Sequence, residues 1–361
     1  MNILVITSRF SLAGVPLAQF RFAEALANQG HKVVFLVGFN EIEKKFLRSK
    51  LIKIKILKKK HVRQMFFPII KYFIKNKPDI VFSAEDHLNI AVLICAVLTK
   101  SKSKISCSSR VTPYDTYLKK NFLKSFLLRI LNKIFSKRAN VLTCVSKGMV
   151  AQYKNIFPNL KYNCVYNIVE SGPLCEQEEI KNEWFNNRYV KIIAAGRLAE
   201  WKGFEYLIQA MVEVVRKYSN AKLLILGDGP LKEKLEILIS NLKLNDNISL
   251  IGYVTNPLVY FKKSDIFVLS SLVEGMPNVL IEAMMCGCTV VSTNCDTGPG
   301  EIIQNGKNGY LVPIKNVKKL SKSIIYAIEN PISKFALTET IKPFKARNVI
   351  QRHFKLLGLN S

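Results

Sequence analysis

Short apolar runs rich in β-branched residues recur along the chain, and between them stand stretches whose apolar residues return at helical spacing. The runs in the first half read NILVIT, HKVVFLV, PDIVFSA, SKISCSS and ANVLTCVS; those in the second read VKIIAAG, KLLILG, ISLIG, DIFVLSS and CTVVST. The first leads into a helical pattern from Leu17 to Gln29. Strands alternating with helices predict parallel sheets wound by βαβ units, because each helix carries the chain back to start the next parallel strand. A polar stretch from about Glu170 to Arg188 separates the two series. The expected fold class is α/β, with two parallel-sheet domains over residues 1–170 and 185–338. Ligands of such sheets bind beyond the carboxyl ends of the strands, and in a two-domain protein in the cleft between domains. The loops AAGRLAEWKG, LGDGP, LSSLVEGMPN and STNCDTGPGE are therefore the candidate contacts of the second half.

Hydrophobic residues fill 49% of the 361 positions, enough for two cores. Charge changes the picture more. The 54 Lys and Arg against 26 Asp and Glu leave a net charge of +28, which points to a polyanionic partner: anionic lipid, lipid-linked phosphate or nucleic acid. A lysine-rich coding bias is the other reading, although it would enrich glutamate as well. The excess gathers in the first half, where no acidic residue lies between Glu43 and Asp79. There Lys50, Lys53, Lys55, Lys58, Lys59, Lys60 and Arg63 crowd together ahead of the aromatic QMFFPIIKYFIK. A second basic stretch, NFLKSFLLRILNKIFSKR, puts Leu123, Phe126, Leu127, Ile130 and Ile134 on one helical face, with Lys124, Arg129, Lys133 and Lys137 off it. Either that stripe packs on the sheet with a solvated basic back, or the helix sits on anionic lipid.

None of the eight cysteines forms a CxxC pair, and no histidine stands at ligand spacing beside them, so no metal is expected. Contexts such as VLTCVS and AVLICAVL read as buried reduced thiols of a cytosolic protein. MNILVITSRF reads as a first strand, not a signal peptide. The longest apolar stretch, Ile90 to Leu98, falls short of the about 20 residues a membrane span needs. The expected location is cytoplasmic, peripheral at the inner face of the cytoplasmic membrane.

The sharper chemistry lies in the second half. In GRLAEWKGFEYLIQAM, Gly196 and Arg197 follow a strand, and Lys202 and Gly203 stand at the mouth of a helix from about Phe204. Two cations beside a helix N-terminus make a phosphate site; an ordinary basic turn uses the same residues. In LGDGPLKEKL, the Gly227–Gly229 loop ends at Pro230, and a tight turn explains it equally well because no full GxGxxG is present. In SSLVEGMPNVLIEAM, Gly275 and Pro277 mark a helix start, with Glu274 in the loop before it and Glu282 on the helix. Glu274 could be a dipole partner and Glu282 a surface residue. Yet Val279, Leu280, Ile281, Ala283 and Met284 surround Glu282, and a buried carboxylate is costly unless something donates to it. Sugar hydroxyls are such donors. Two acids beside a cationic diphosphate site fit a nucleotide sugar, one acid holding the transferred sugar and the other the ribose diol.

Taken together, GRLAEWKGFEYLIQAM, LGDGP and DIFVLSSLVEGMPNVLIEAMMCGCTVVSTNCDTGPGEIIQNGKNGYLV resemble the group 1 (family 4) retaining glycosyltransferases, in which the two acids form an E-x7-E motif. AGVPLAQFRFAEALANQGHKVVFL, CVSKGM and YNIVE resemble the family's first-domain segments. The resemblance implies a GT-B fold, two Rossmann-like domains facing each other across a cleft, with a C-terminal helix near 340–361 returning to the first. It implies that Arg197 and Lys202 bind the donor diphosphate, with Gly196 and Gly229 in the donor-binding loops. Glu274 would contact the donor sugar, with Gly275 and the backbone of Met276, Asn278 and Val279 near sugar and phosphate. Glu282 would bind the ribose. Gly14 would let the first domain's backbone approach the diphosphate, although Ala13-Gly14 stands where many members carry a glycine pair. No histidine matches the one often found near the reaction centre; Arg110 in SSRVTP stands nearest, and Glu85, Asp86 and His87 in SAEDHLN are acceptor-facing candidates, a surface loop being the other reading.

The implied activity is metal-independent transfer of a hexose or N-acetylhexosamine, with retention, from a nucleotide sugar, UDP-linked by default and GDP-linked otherwise. No cofactor is expected. A basic, aromatic first domain suggests a polyprenyl-diphosphate-linked or lipopolysaccharide-type acceptor at an anionic membrane surface. A nucleic-acid binder would need a reading module or stacking aromatics that are not evident. A glycoside hydrolase would use paired carboxylates but no diphosphate cations. A sugar-nucleotide epimerase of the same fold stays open, since it would convert donor without acceptor.

Overall fold

The computed structural model describes residues 1–11, 14–42, 49–118, 122–169, 184 and 188–359. The chain divides into two compact units, residues 1–169 with 344–361, and residues 170–343. The stretch expected as linker lies outside the described residues, apart from its last part and Trp184.

Seven parallel strands form the sheet of the first unit: β1 (Asn2–Phe10), β2 (Lys32–Asn40), β3 (Lys53–Ile56), β4 (Ile80–Ala84), β5 (Lys104–Ser109), β6 (Val141–Cys144) and β7 (Tyr162–Cys164). Their order is β3-β2-β1-β4-β5-β6-β7. Central strands of a parallel sheet are covered on both faces, which is why Ile3, Leu4, Val5 and Ile6 run as an unbroken apolar, buried segment. Helix Gly14–Asn28 lays Phe20 against Phe10 and Phe35, with ring centroids 5.4 and 5.7 Å away. The second unit has six parallel strands: β8 (Val190–Ala195), β9 (Ala221–Leu226), β10 (Ile248–Gly252), β11 (Ile266–Leu269), β12 (Thr289–Thr293) and β13 (Tyr310–Val312), in the order β10-β9-β8-β11-β12-β13. Helices Phe204–Lys217 and Val317–Glu329 pack together on it and bury Leu207, Met211, Leu320 and Ile324. Strands β3, β7 and β13 are additions to the runs read from the sequence; all three are edge strands of three or four residues.

The C-terminal helix Ala346–Leu356 belongs to the first unit and buries Val349, Ile350, His353 and Phe354. His353 sits between Phe22 and Phe82, ring centroids 5.1 and 5.2 Å away, and Lys104 Nζ donates to the Leu357 carbonyl at 2.8 Å. Burial, aided by the charge of Arg110, pulls the His353 imidazole down to about 3. In the unfolded chain this histidine takes up a proton near pH 6.5, while in the folded chain it stays neutral until about pH 3. Its contribution to stability is therefore complete above pH 6.5 and is lost as pH falls from there toward 3, at up to about 1.4 kcal/mol per pH unit. Denaturation curves between pH 7 and 5 should show His353→Phe losing less stability than wild type over that interval. Parallel curves for the two proteins would contradict the assignment.

Candidate functional site

Strand order reverses between β8 and β11 in the second unit: β9 and β10 extend to one side of β8, β12 and β13 to the far side of β11. Loops leaving the carboxyl ends of two such strands diverge and open a crevice. Arg197 and Lys202 follow β8, and Glu274 follows β11, so the switch point collects both cations and the first acid.

Glycines let the loops lie that close. A Cβ on Gly227 would fall 1.9 Å from the Gly196 carbonyl oxygen, and one on Gly229 would fall 2.5 Å from that of Leu198. Leu198 is buried, its N–H donates to the Asp228 carbonyl at 3.0 Å, and its carbonyl accepts from Leu231 N–H at 3.0 Å. The Gly229 loop thus braces the loop that carries exposed Arg197. Beyond it, Glu200–Lys202 makes a single 3-10 turn and Gly203 caps helix Phe204–Lys217 at φ 60°, a left-handed conformation that favours glycine.

Lys202 Nζ lies 2.5 Å from Glu274 Oε1, and Ser271 Oγ donates to the same oxygen at 2.6 Å. Both charged side chains are largely buried, at 17% and 11% exposure. Thr297 Oγ1 donates to the Glu274 carbonyl, and Ser270 Oγ donates to the Lys202 carbonyl at 2.9 Å. Gly298, at φ 93°, lets the loop after β12 press on the Gly275–Pro277 turn: a Cβ there would meet Pro277 Cδ at 2.6 Å. Helix Asn278–Met285 begins one residue later than its proline suggests, with Pro277 as cap. Met276 is buried, and Gly275, Asn278 and Val279 are half-buried at this helix mouth. Glu282 is buried on the same helix, at 7% exposure. Burial and the charge of Glu274 push the Cys295 thiol up to about 12, so it is not a nucleophile at neutral pH.

Ser271, Thr297 and Gly298 are the residues that sequence reasoning missed. The STNCDTGPGE loop was expected to touch a ligand; its visible work is to hold Glu274.

The first unit reverses strand order between β1 and β4. Gly14 opens the helix after β1 at φ 59°, with no atom within 4 Å of where a Cβ would be. After β4, Glu85 takes φ 77°, rare for a residue with a side chain. Its carboxylate accepts from Ser8 Oγ at 2.5 Å and lies 3.7 Å from exposed His87 Nε2. Arg110, after β5, donates through Nη1 to Asn167 and through Nε to Ser108 Oγ at 2.9 Å. Burial pulls its guanidinium down to about 10, against the charge of Glu85, so it is a cation at neutral pH. Asp86, expected to face an acceptor, is instead buried, accepting from Ser109 Oγ at 2.5 Å and Tyr153 OH at 2.6 Å. Its neighbour on the helix turns outward, so one residue of the pair builds the core and the other faces solvent. Among the described residues no group of three or more His, Cys, Asp and Glu is placed to hold a metal.

Residues 176–343 match the family described as glycosyl transferases group 1. An uncharacterised glycosyltransferase of Methanocaldococcus jannaschii is 36% identical over 251 residues, which are 66% of this chain and 61% of that protein. The Campylobacter jejuni N-acetylgalactosamine-N,N'-diacetylbacillosaminyl-diphospho-undecaprenol 4-alpha-N-acetylgalactosaminyltransferase is 28% identical over 66% of this chain and 64% of its own length. The chain thus spans less than two thirds of these two relatives. In fold, the Anabaena protein HepE in complex with UDP-glucose superposes with a TM-score of 0.80 at 16% identity, covering 99% of both chains.

Proposed function

We propose that this chain, whose residues 176–343 match the group 1 glycosyl transferases and whose fold is GT-B, transfers a sugar from a nucleotide donor to a lipid-linked saccharide. The donor is a UDP-linked hexose or N-acetylhexosamine, transferred with retention and without a metal, as a step in cell-surface polysaccharide assembly. One observation carries this reading: Lys202 and Glu274, drawn from different loops, meet at the switch point of the second unit's sheet. UDP-glucose in the HepE complex supports a uridine donor, and the undecaprenol in the Campylobacter relative's name supports a lipid-linked acceptor.

The chemistry follows from where charge develops. The bond between the sugar's C1 and the β-phosphate oxygen breaks, its electron pair staying on the phosphate. The acceptor hydroxyl oxygen attacks C1 from the same face, and its proton passes to the leaving phosphate. Negative charge grows on that phosphate, where Lys202, Arg197 and the N-terminus of helix Phe204–Lys217 are preorganised to meet it. Glu274, held by Ser271 and Thr297, takes hydroxyls of the transferred sugar, and Glu282 those of the ribose. Gly14 admits backbone to the diphosphate, while Arg110, Glu85 and His87 stand toward the acceptor.

A donor screen that follows nucleotide release, with membrane lipid extract as acceptor, tests this. Release of UDP from one donor, dependent on the extract and undiminished by EDTA, is the expected result. Donor conversion without extract would show an epimerase; indifference to every uridine and guanosine diphosphosugar would overturn the reading.

A further inference from the structure

Helix Phe122–Phe135 turns its wider apolar stripe away from the sheet. Its apolar stripe faces out: Leu123 is 79% exposed, Phe126 52%, Leu127 55%, Ile130 38% and Ile134 56%. The inward side mixes buried Ser125 and Asn132, with Ser136 of the following turn, and half-buried Leu128, Leu131 and Phe135. Ser136 Oγ donates to Asn132 Oδ1 at 2.7 Å, and Asn132 Nδ2 donates to Tyr162 OH at 3.2 Å, which ties the polar side to β7. A helix in water buries its widest apolar stripe; five exposed apolar side chains on one face, opposite two buried polar ones, call for an apolar medium outside.

The surroundings say which medium. At helical spacing Lys124 flanks one side of the stripe, and Arg129 and Lys133 the other, all exposed. Helix Asp86–Leu98 packs against this helix and, on its other side, against helix Val62–Asn76, so the three form one layer. The far helix buries Met65, Ile69 and Phe73 and adds two apolar side chains to the outer surface, Phe67 at 80% exposure and Ile74 at 61%, interleaved with exposed Arg63 and Lys71. Between residues 44 and 169 the only acidic residues are Asp79, Glu85, Asp86 and Asp115. Leucines in a ring of cations suit a bilayer surface, where apolar side chains enter the acyl boundary and lysine stems reach anionic headgroups. Among the described residues no helix is long and apolar enough to cross a membrane.

We propose that this layer, centred on Leu123, Leu127 and Ile134 with Lys124, Arg129 and Lys133, is the face by which the first unit docks on an anionic lipid bilayer. The proposal rests on the lipid-linked acceptor of the proposed function and supplies the means of reaching it; vesicle binding and donor binding are measured separately, so either can fail alone.

The test is co-sedimentation of the full chain with vesicles of phosphatidylcholine, alone or mixed with phosphatidylglycerol. Wild type should prefer the anionic vesicles. Each engaged cation is worth about fivefold in partitioning, so Lys124→Glu/Arg129→Glu/Lys133→Glu should weaken binding at least about a hundredfold. Leu123→Ser/Leu127→Ser/Ile134→Ser should weaken it about a thousandfold or more, since each buried leucine or isoleucine contributes roughly tenfold or more. All six positions are exposed, so melting temperature and nucleotide-sugar affinity should match wild type. Indifference of wild type to anionic lipid, or wild-type binding by both variants, would overturn the proposal. So would a dimer that the serine variant dissolves, which marks a self-interface, or nucleic-acid binding that only the glutamate variant loses.

Discussion

Lys202→Met is expected to lower the rate of sugar transfer by about 10²–10³ while the protein stays folded. In the proposed reaction the cation sits where the departing diphosphate gains charge, and its largely buried setting makes electrostatic contacts worth more than in water. Without nucleotide its charge is met by Glu274 Oε1, which Ser271 also holds. Under the proposed function, donor arrival offers Lys202 a second anion, and Glu274 a set of sugar hydroxyls, at the same point. The two residues should act as a unit, so Lys202→Met/Glu274→Gln should lose less than the product of the single losses. Steady-state kinetics of the four proteins measures this. If Lys202 served only to pair Glu274 within the fold, its loss would lower the melting temperature and spare kcat.

Gly203→Ala should cost about 3 kcal/mol or more of second-unit stability and abolish donor binding. Two costs add. At φ 60° an alanine is strained by about 1–2 kcal/mol, and its Cβ would fall 2.3 Å from the Ser270 carbonyl oxygen. Backbone at the end of β11 has to give way, and that backbone leads into Ser271 and Glu274. In a unit of this size the loss appears as a fall of roughly 6–12 °C in melting temperature. Gly14→Ala makes the contrast: its φ of 59° carries the same conformational strain, but nothing lies within 4 Å of the new methyl group. A Gly203→Ala protein as stable as Gly14→Ala would show that the close approach to Ser270 is not needed.

The runs of β-branched residues were legible because a strand covered on both faces needs them in unbroken series, as in Ile3–Ile6 and Ile266–Leu269. Edge strands escape that demand. KIKI in β3 alternates with lysine, and β7 and β13 are three residues each, too short to stand out from loop. At the site, Glu274, Glu282, Arg197 and Lys202 were visible because acid and cation in apolar or glycine-rich company need a chemical reason. Ser271 and Thr297 were not, because a serine or threonine in a loop is ordinary until its hydroxyl is seen on a carboxylate or a carbonyl.

Asp86 and His87 show the same limit. Adjacent residues at a helix start have equal claims in sequence, and only the packing of Tyr153 and Ser109 puts one carboxylate inside while its neighbour stays out. Helix Phe122–Phe135 shows it at larger scale. Spacing alone determined that five apolar residues share one face and that cations border it, since the helical repeat is a local property of the backbone. Which face turns outward was decided by Tyr162, far along the chain: the hydroxyl that accepts from Asn132 stands beside this helix only once the sheet is assembled.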